Sequence, residues 1–179
     1  MIMIPKMIFQ HLVHADRALT ISLNRLLRWK SVRNFFAAIS SLGNGKFWYA
    51  IMLTLPIAQG SDGLKAAAHM GISGLVTLFI YKAVKGATQR PRPGAVHGAI
   101  EQGALALDEY SFPSGHTMHA VVFTCIACAW FPGLVVLLGT FTVLTAISRV
   151  VLGLHYPTDV VLGAVFGLII SQVSLSVVF

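Results

Sequence analysis

LVVLLGTFTVLTAISRVVLGLHYPTDVVLGAVFGLIISQVSLSVVF, residues 134–179, reads as two apolar runs joined by a short polar hinge. The formal charges in this stretch are Arg149 and Asp159, and both sit beside the hinge. A bilayer core takes roughly 20 apolar residues of helix to cross. The runs 134–151 and 160–179 suit that length, and His155-Tyr156-Pro157 separates them, because proline cannot continue the preceding helix. The pattern predicts two antiparallel membrane helices whose polar ends lie together.

Working outward, the same pattern repeats. Phe131-Pro132-Gly133 divides 134–151 from a third apolar run, 117–131, and 64–84 is a clean span before it. The block 35–58 is broken at Gly43-Asn44-Gly45-Lys46, so either the whole block is one irregular span, or only 47–58 inserts and 35–42 lies at the interface. Residues 86–113 are polar and rich in Gly and Pro, an extramembrane loop. Of the 179 residues, 56% are hydrophobic and 11% charged, against about a quarter charged in ordinary soluble domains; mean hydropathy is +0.77. The expected fold is an all-α integral membrane bundle of about five spans, forming a single domain over residues 1–179.

Residues 1–33 read as an amphipathic N-terminal helix. Leu12, Ala15, Leu19, Leu23, Leu26 and Leu27 recur at helical spacing, interrupted by Asp16, Arg17, Asn24, Arg25 and Arg28. Such a helix lies in the headgroup plane, with Trp29 at the interface; the alternative is a helix packed on the loops. Met1–Phe9 is short, broken by Pro5 and Lys6, and lacks a cleavage site, so it does not read as a secretory leader. The net charge, 13 − 6 = +7, would suggest nucleic acid in a soluble chain, but the basic residues sit in two places: those of this segment read as positive-inside or headgroup-binding charge, and Lys82, Lys85, Arg90 and Arg92 are too tightly placed for that. Cys125 and Cys128 lie inside an apolar run and read as small packing residues rather than a redox pair.

Connectivity then places four helix ends on one side of the membrane, and the polar residues concentrate there. Ionisable groups at such a position are costly unless paired or functional. One cluster is Lys85, Arg90 and Arg92, whose cations suit phosphate oxygens or, more simply, anchor headgroups. A second is Pro113-Ser114-Gly115-His116, at a helix start where unpaired amides form an anion site, or merely a capped helix. The third is Ser148-Arg149 followed by His155 and Asp159. A carboxylate one turn from an imidazole can accept its N–H and free the other nitrogen to attack; equally, Asp159 can simply cap its helix. Cations, an anion-binding turn, a nucleophile and a proton donor are together what phosphoryl transfer requires.

Lys85, six residues, Arg92-Pro93; Pro113-Ser114-Gly115-His116; and Ser148-Arg149, five residues, His155, three residues, Asp159 closely resemble the three motifs of the type 2 phosphatidic acid phosphatase superfamily. The motifs cover residues 85–159. The resemblance implies that Lys85, Arg92 and Arg149 bind phosphate with help from Ser114 and the Gly115 amide. It further implies that His155 attacks phosphorus to form a phosphohistidine, Asp159 orients His155, and His116 protonates the leaving oxygen. It implies no metal or other cofactor. Arg90 falls outside the pattern and is expected to be an auxiliary cation. His119 is expected to line the pocket, His69 to pair with Lys65, and Asp108 and Glu109 to be solvated or to shape the entrance; an HxxH metal site at His116 and His119 lacks a third ligand.

The expected activity is hydrolysis of a membrane lipid phosphate or diphosphate: undecaprenyl diphosphate, phosphatidylglycerophosphate or phosphatidic acid, with the carrier-lipid diphosphate favoured. Two rival readings are a lipid phosphotransferase, separated by assay with an acceptor lipid, and a non-enzymatic lipid-phosphate binding or transport protein. The pair His116 and His155 argues against the second rival. The basic N-terminal segment puts the motif face on the cytoplasmic side by the positive-inside rule. The resemblance implies the outer face of a bacterial inner membrane, and that is the expectation adopted.

Overall fold

The computed structural model describes residues 6–178, with side chains from Gln10 onward; residues 1–5 and 179, including part of the Met1–Phe9 stretch, lie outside the described residues. Among the described residues the regular elements are helical, with one isolated bridge between Pro91 and Tyr110. The α-helices are α1 (Lys6–Asn24), α2 (Lys30–Ser41), α3 (Phe47–Thr88), α4 (Pro93–Val96), α5 (Gly115–Trp130), α6 (Val135–Val151) and α7 (Pro157–Val178).

The block 35–58 forms one irregular pass. It comprises α2, a π-type turn over Leu42–Lys46 in which Gly45 takes φ 114°, and the first arm of α3. This pass runs antiparallel to α6. Arg149 donates to Ser40, Gly43 approaches Thr145, and Phe47 stacks on Phe141 with ring centres 3.8 Å apart. α3 then reverses at Gly60, where φ 58° and ψ −131° suit a residue without a side chain. A Cβ on Gly63 would fall 2.0 Å from the Leu55 carbonyl oxygen, so the two arms meet backbone to backbone.

The returning arm, 61–88, lies antiparallel to α5: His69 meets Trp130 at one end and Tyr81 packs beside Gly115 at the other. α6 is antiparallel to α5 through the Thr124–Thr142 hydroxyl pair, 2.7 Å. α7 runs parallel to α5, and Gly163 lets them close, since a Cβ there would sit 2.9 Å from the Ser114 carbonyl oxygen. The chain thus traverses the bundle repeatedly around a core of Trp48, Met70, Phe123, Ile126 and Leu138. Three helical stretches among the described residues are long and apolar enough to cross a membrane: Lys30–Thr88, which contains the reversal, Pro132–Val151 and Pro157–Val178. α5 has 16 residues, about 24 Å of helix. Exposed Leu53, Ile57, Ile72, Phe79 and Val136 give the bundle an apolar exterior, as in an integral membrane protein whose solvent is lipid.

The N-terminal segment differs from the expected single helix over 1–33. α1 ends at Asn24, a tight turn follows over Arg25–Arg28, and α2 starts after Trp29. α1 also presents its polar stripe inward: Asp16, Thr20 and Asn24 are buried, while Leu12, Leu19 and Leu23 are exposed. The cause is the polar end of the bundle. Asp16 accepts the Thr158 backbone N–H at 3.0 Å, and Asn24 donates to the carbonyl oxygen of Val151 at 2.9 Å, so α1 satisfies helix-end groups of α6 and α7 that would otherwise lack partners.

Candidate active site

The three sequence clusters meet at one end of the bundle. Lys85 comes from the last turn of α3, Arg92 precedes α4, Ser114 caps α5, Arg149 lies in the last turn of α6, and Asp159 in the first turn of α7. His155 sits in the turn between α6 and α7, with its backbone N–H on the Arg149 carbonyl at 3.0 Å. Ser114 N–H donates to the Asp159 carbonyl at 3.0 Å, which stitches the start of α5 to the start of α7. Lys85, Arg92, Arg149, His155 and Asp159 are all buried.

Arg92 Nη1 lies 3.2 Å from His155 Nε2 and also donates to the Leu154 carbonyl at 2.7 Å. Arginine has no acceptor, so Nε2 receives this contact and the imidazole proton falls on Nδ1. The nitrogen carrying the lone pair therefore faces the cations. His155 lies outside the membrane-spanning helices, and burial pushes its imidazole well below the ordinary histidine range. Arg149, Arg92 and Lys85 push it the same way, and Asp108 opposes them. A buried, neutral imidazole beside three cations is the state that a nucleophile needs.

Asp159 does not make the hydrogen bond expected of it. Its Oδ2 is 3.7 Å from His155 Nδ1, and Nδ1 is buried with no hydrogen-bond partner. The carboxylate is engaged elsewhere: Oδ2 accepts the Tyr156 N–H at 2.8 Å, and Oδ1 accepts Arg90 Nη1 at 2.6 Å. The Tyr156 contact is the return half of a capping arrangement at the start of α7. Asp159 is thus both a helix cap and the neighbour of His155, the two roles that the sequence left open.

Arg90 does not join the Lys85–Arg92 cluster. It bridges Asp159 and Asp16, the latter at 2.8 Å, and lies over the Tyr156 ring. His119 lines the cavity and contacts the carbonyl oxygens of Gly115 and Gly74 at 2.9 and 3.1 Å. His69 pairs with Ser174 and Trp130 rather than Lys65, which instead bridges to Asp62 at 2.9 Å. Cys125 and Cys128 are free thiols, half-buried in α5. Asp108 is an exposed loop residue at the entrance that also pairs inward: its Oδ1 lies 2.6 Å from Lys85 Nζ and 2.7 Å from Arg92 Nη2. Burial raises the Asp108 carboxyl, but hydrogen bonding and charge from Lys85 and Arg92 win and hold it below the ordinary range.

Asn44, Ser40 and Asp16, all outside the three motifs, brace the site. His116 Nε2 donates to Asn44 Oδ1 at 2.5 Å, so the π-type turn carrying Asn44 supports the second motif; such turns often mark functional positions. Ser40 holds Arg149 from the same pass. Asp16, in α1, ties Arg90 and Thr158 together. The Gly43-Asn44-Gly45 break was the one local signal among these. Together the site residues open into a cavity of about 290 Å³ whose polar end holds Lys85, Arg92, Arg149, His116 and His155, and whose other wall is Trp48, Met52, Leu75, Leu78 and Phe123.

Comparison with known proteins bears on the family and the fold. The family model of the PAP2 superfamily matches residues 63–179. The chain is similar to the crystal structure of a transmembrane PAP2-type phosphatidylglycerolphosphate phosphatase from Bacillus subtilis. That match has TM-score 0.71 and 25% identity, and covers 93% of this chain and 85% of that one. It also shares its fold with Aquifex aeolicus LpxE, at TM-score 0.77 and 22% identity, covering 89% and 93% of the two chains.

Proposed function

The chain belongs to the PAP2 superfamily and has its membrane phosphatase fold, and from that membership we propose that it is a single-domain, five-span lipid phosphatase acting through a phosphohistidine. The observation that carries the reading is the meeting of Lys85, Arg92 and Arg149 with an unprotonated His155 Nε2 at the polar end of an apolar-walled cavity. A lipid phosphate suits that shape: its head meets the cations while its chain remains against Trp48, Met52 and Leu75.

His155 Nε2 attacks phosphorus, the bond to the leaving oxygen breaks, and His116 gives that oxygen a proton. Lys85, Arg92 and Arg149 hold the phosphoryl oxygens as charge spreads onto them, aided by Ser114 and the first amides of α5. Asp159 stabilises the imidazole once it becomes cationic. Water then attacks the phosphohistidine and loses its proton to His116, releasing inorganic phosphate and restoring His155. No step here calls for a metal. Purified protein in mixed micelles should release phosphate from one or more of undecaprenyl diphosphate, phosphatidylglycerophosphate and phosphatidic acid, the first being favoured. His155→Ala should lower turnover by at least about 10³-fold; unchanged turnover would remove His155 as the nucleophile.

The site is assigned to the outer face of a bacterial inner membrane. Because α1 packs on the motif end, this assignment carries the basic residues of α1 and its following turn to the same face. A cysteine at Leu105, 91% exposed in the loop above the site, should react with an impermeant thiol reagent in intact cells. Labelling only after permeabilisation reverses the orientation.

A further inference from the structure

Asp108 stands where the proposed reaction would put a phosphate oxygen. One carboxylate oxygen is shared by Lys85 and Arg92, at 2.6 and 2.7 Å. The same short segment adds two backbone acceptors, the Asp108 carbonyl for Arg92 Nε at 2.9 Å and the Tyr110 carbonyl for Lys85 Nζ at 2.8 Å. The two cations are buried, with side chains 7% and 5% exposed, whereas the Asp108 side chain is 37% exposed. The carboxylate therefore reaches in from the rim. Its segment, 104–109, has no helix or strand. It is tethered on either side by Gly103 N–H on the Leu152 carbonyl, 3.0 Å, and Ser111 N–H on the Arg90 carbonyl, 2.7 Å.

Resting on the phosphatase reading, we propose that Asp108 is a specificity-determining residue: it occupies the Lys85–Arg92 anion position and yields it to a phosphate dianion but not to a monoanionic phosphodiester. The need for such a device follows from location. Three cations at the headgroup plane face a surface crowded with phosphodiester headgroups of single charge, any of which would occupy an open site. A tethered carboxylate competes at an effective concentration of order millimolar or above without diffusing away. A diester offers the cations no more charge than Asp108 already supplies. A monoester or terminal diphosphate group offers a second negative charge and more oxygens for the arginine fork. Leu107, which precedes Asp108, lines the same cavity.

The test uses the full-length protein in mixed micelles with a lipid monophosphate substrate, inorganic phosphate as inhibitor and phosphatidylglycerol as the added monoanionic diester. In Asp108→Asn the inhibition constant for inorganic phosphate should fall about tenfold, and phosphatidylglycerol, inert toward the wild type, should inhibit. Unchanged or weaker phosphate inhibition, or equal sensitivity of both proteins to phosphatidylglycerol, overturns the proposal. Asp108→Glu keeps the charge and should match the wild type in both arms; if it behaves as Asp108→Asn, the proposal also falls. Calorimetric titration of inorganic phosphate into wild type and Asp108→Asn needs no turnover. It reads the Asp108 effect, tighter binding in the variant, separately from whether the protein is a phosphatase.

Discussion

Each end of the bundle buries a histidine among polar partners, and the two are treated in opposite ways. At the far end, His69 has both nitrogens satisfied: Trp130 Nε1 donates to Nδ1 at 3.2 Å, and Nε2 contacts Ser174 Oγ at 2.8 Å, which pairs in turn with Ser73 at 2.7 Å. At the motif end, His155 has Nδ1 without a partner, Nε2 against a guanidinium, and three cations lowering its proton affinity. A buried polar group whose bonds are complete joins helices, whereas one kept buried without a partner costs stability. The His69 cluster ties α3, α5 and α7 together. The His155 cluster gathers cations whose anionic partner is the Asp108 carboxylate, which reaches in from the rim.

Substitutions can break this contrast or sharpen it. Lys85→Gln should lower kcat/KM by about 10²- to 10³-fold, the usual effect of removing one charge-stabilising donor. It should also move the acidic limb of the pH profile. Lys85 depresses the His155 imidazole, so removing the cation raises that pKa; protonation then silences the nucleophile at a higher pH, and the limb shifts upward. A limb that stays in place means the Lys85 charge does not reach His155.

A smaller loss is expected at Arg90, which touches Asp159 and Asp16 rather than the cation cluster. Arg90→Gln should lower kcat by about tenfold with little change in KM, because Asp159 would be free to turn from His155. A rise in KM alone would instead make Arg90 a substrate contact. The smallest effect on activity belongs to the far end. His69→Ala should leave kcat and KM near wild type yet cost about 1–3 kcal/mol of stability, the penalty for stranding buried partners. Melting curves and turnover on the same preparation separate the two effects. Lost turnover at full stability would make His69 part of the chemistry.

Much of this was legible in the chain. Proline breaks at Pro132 and Pro157 divide the helices where the structure divides them, and the blocks 35–58 and 64–84 bracket the reversal at Gly60. Polar residues at helix ends announced the site because such groups are costly in an apolar chain. Contacts between distant segments were not legible. Asp16 sits on an ordinary amphipathic pattern, and nothing local reveals that its side chain turns inward to Arg90 and Thr158. Arg90 looked like one more cation because its carboxylate partners lie 74 and 69 residues away. Asp108 read as loop surface, since only the folded chain brings Lys85 and Arg92 beneath it. Asn44 was visible as part of a helix break, but its partner His116 was not.

The proposed reaction requires phosphorus to form a bond to one nitrogen, Nε2 of His155. Rapid quenching of the turning-over protein in alkali, followed by peptide mass spectrometry, should find a phosphoryl group on His155. The adduct should be labile to acid and absent from His155→Ala. A phosphoryl group on His116 instead, or full turnover with no adduct at any time point, would contradict it.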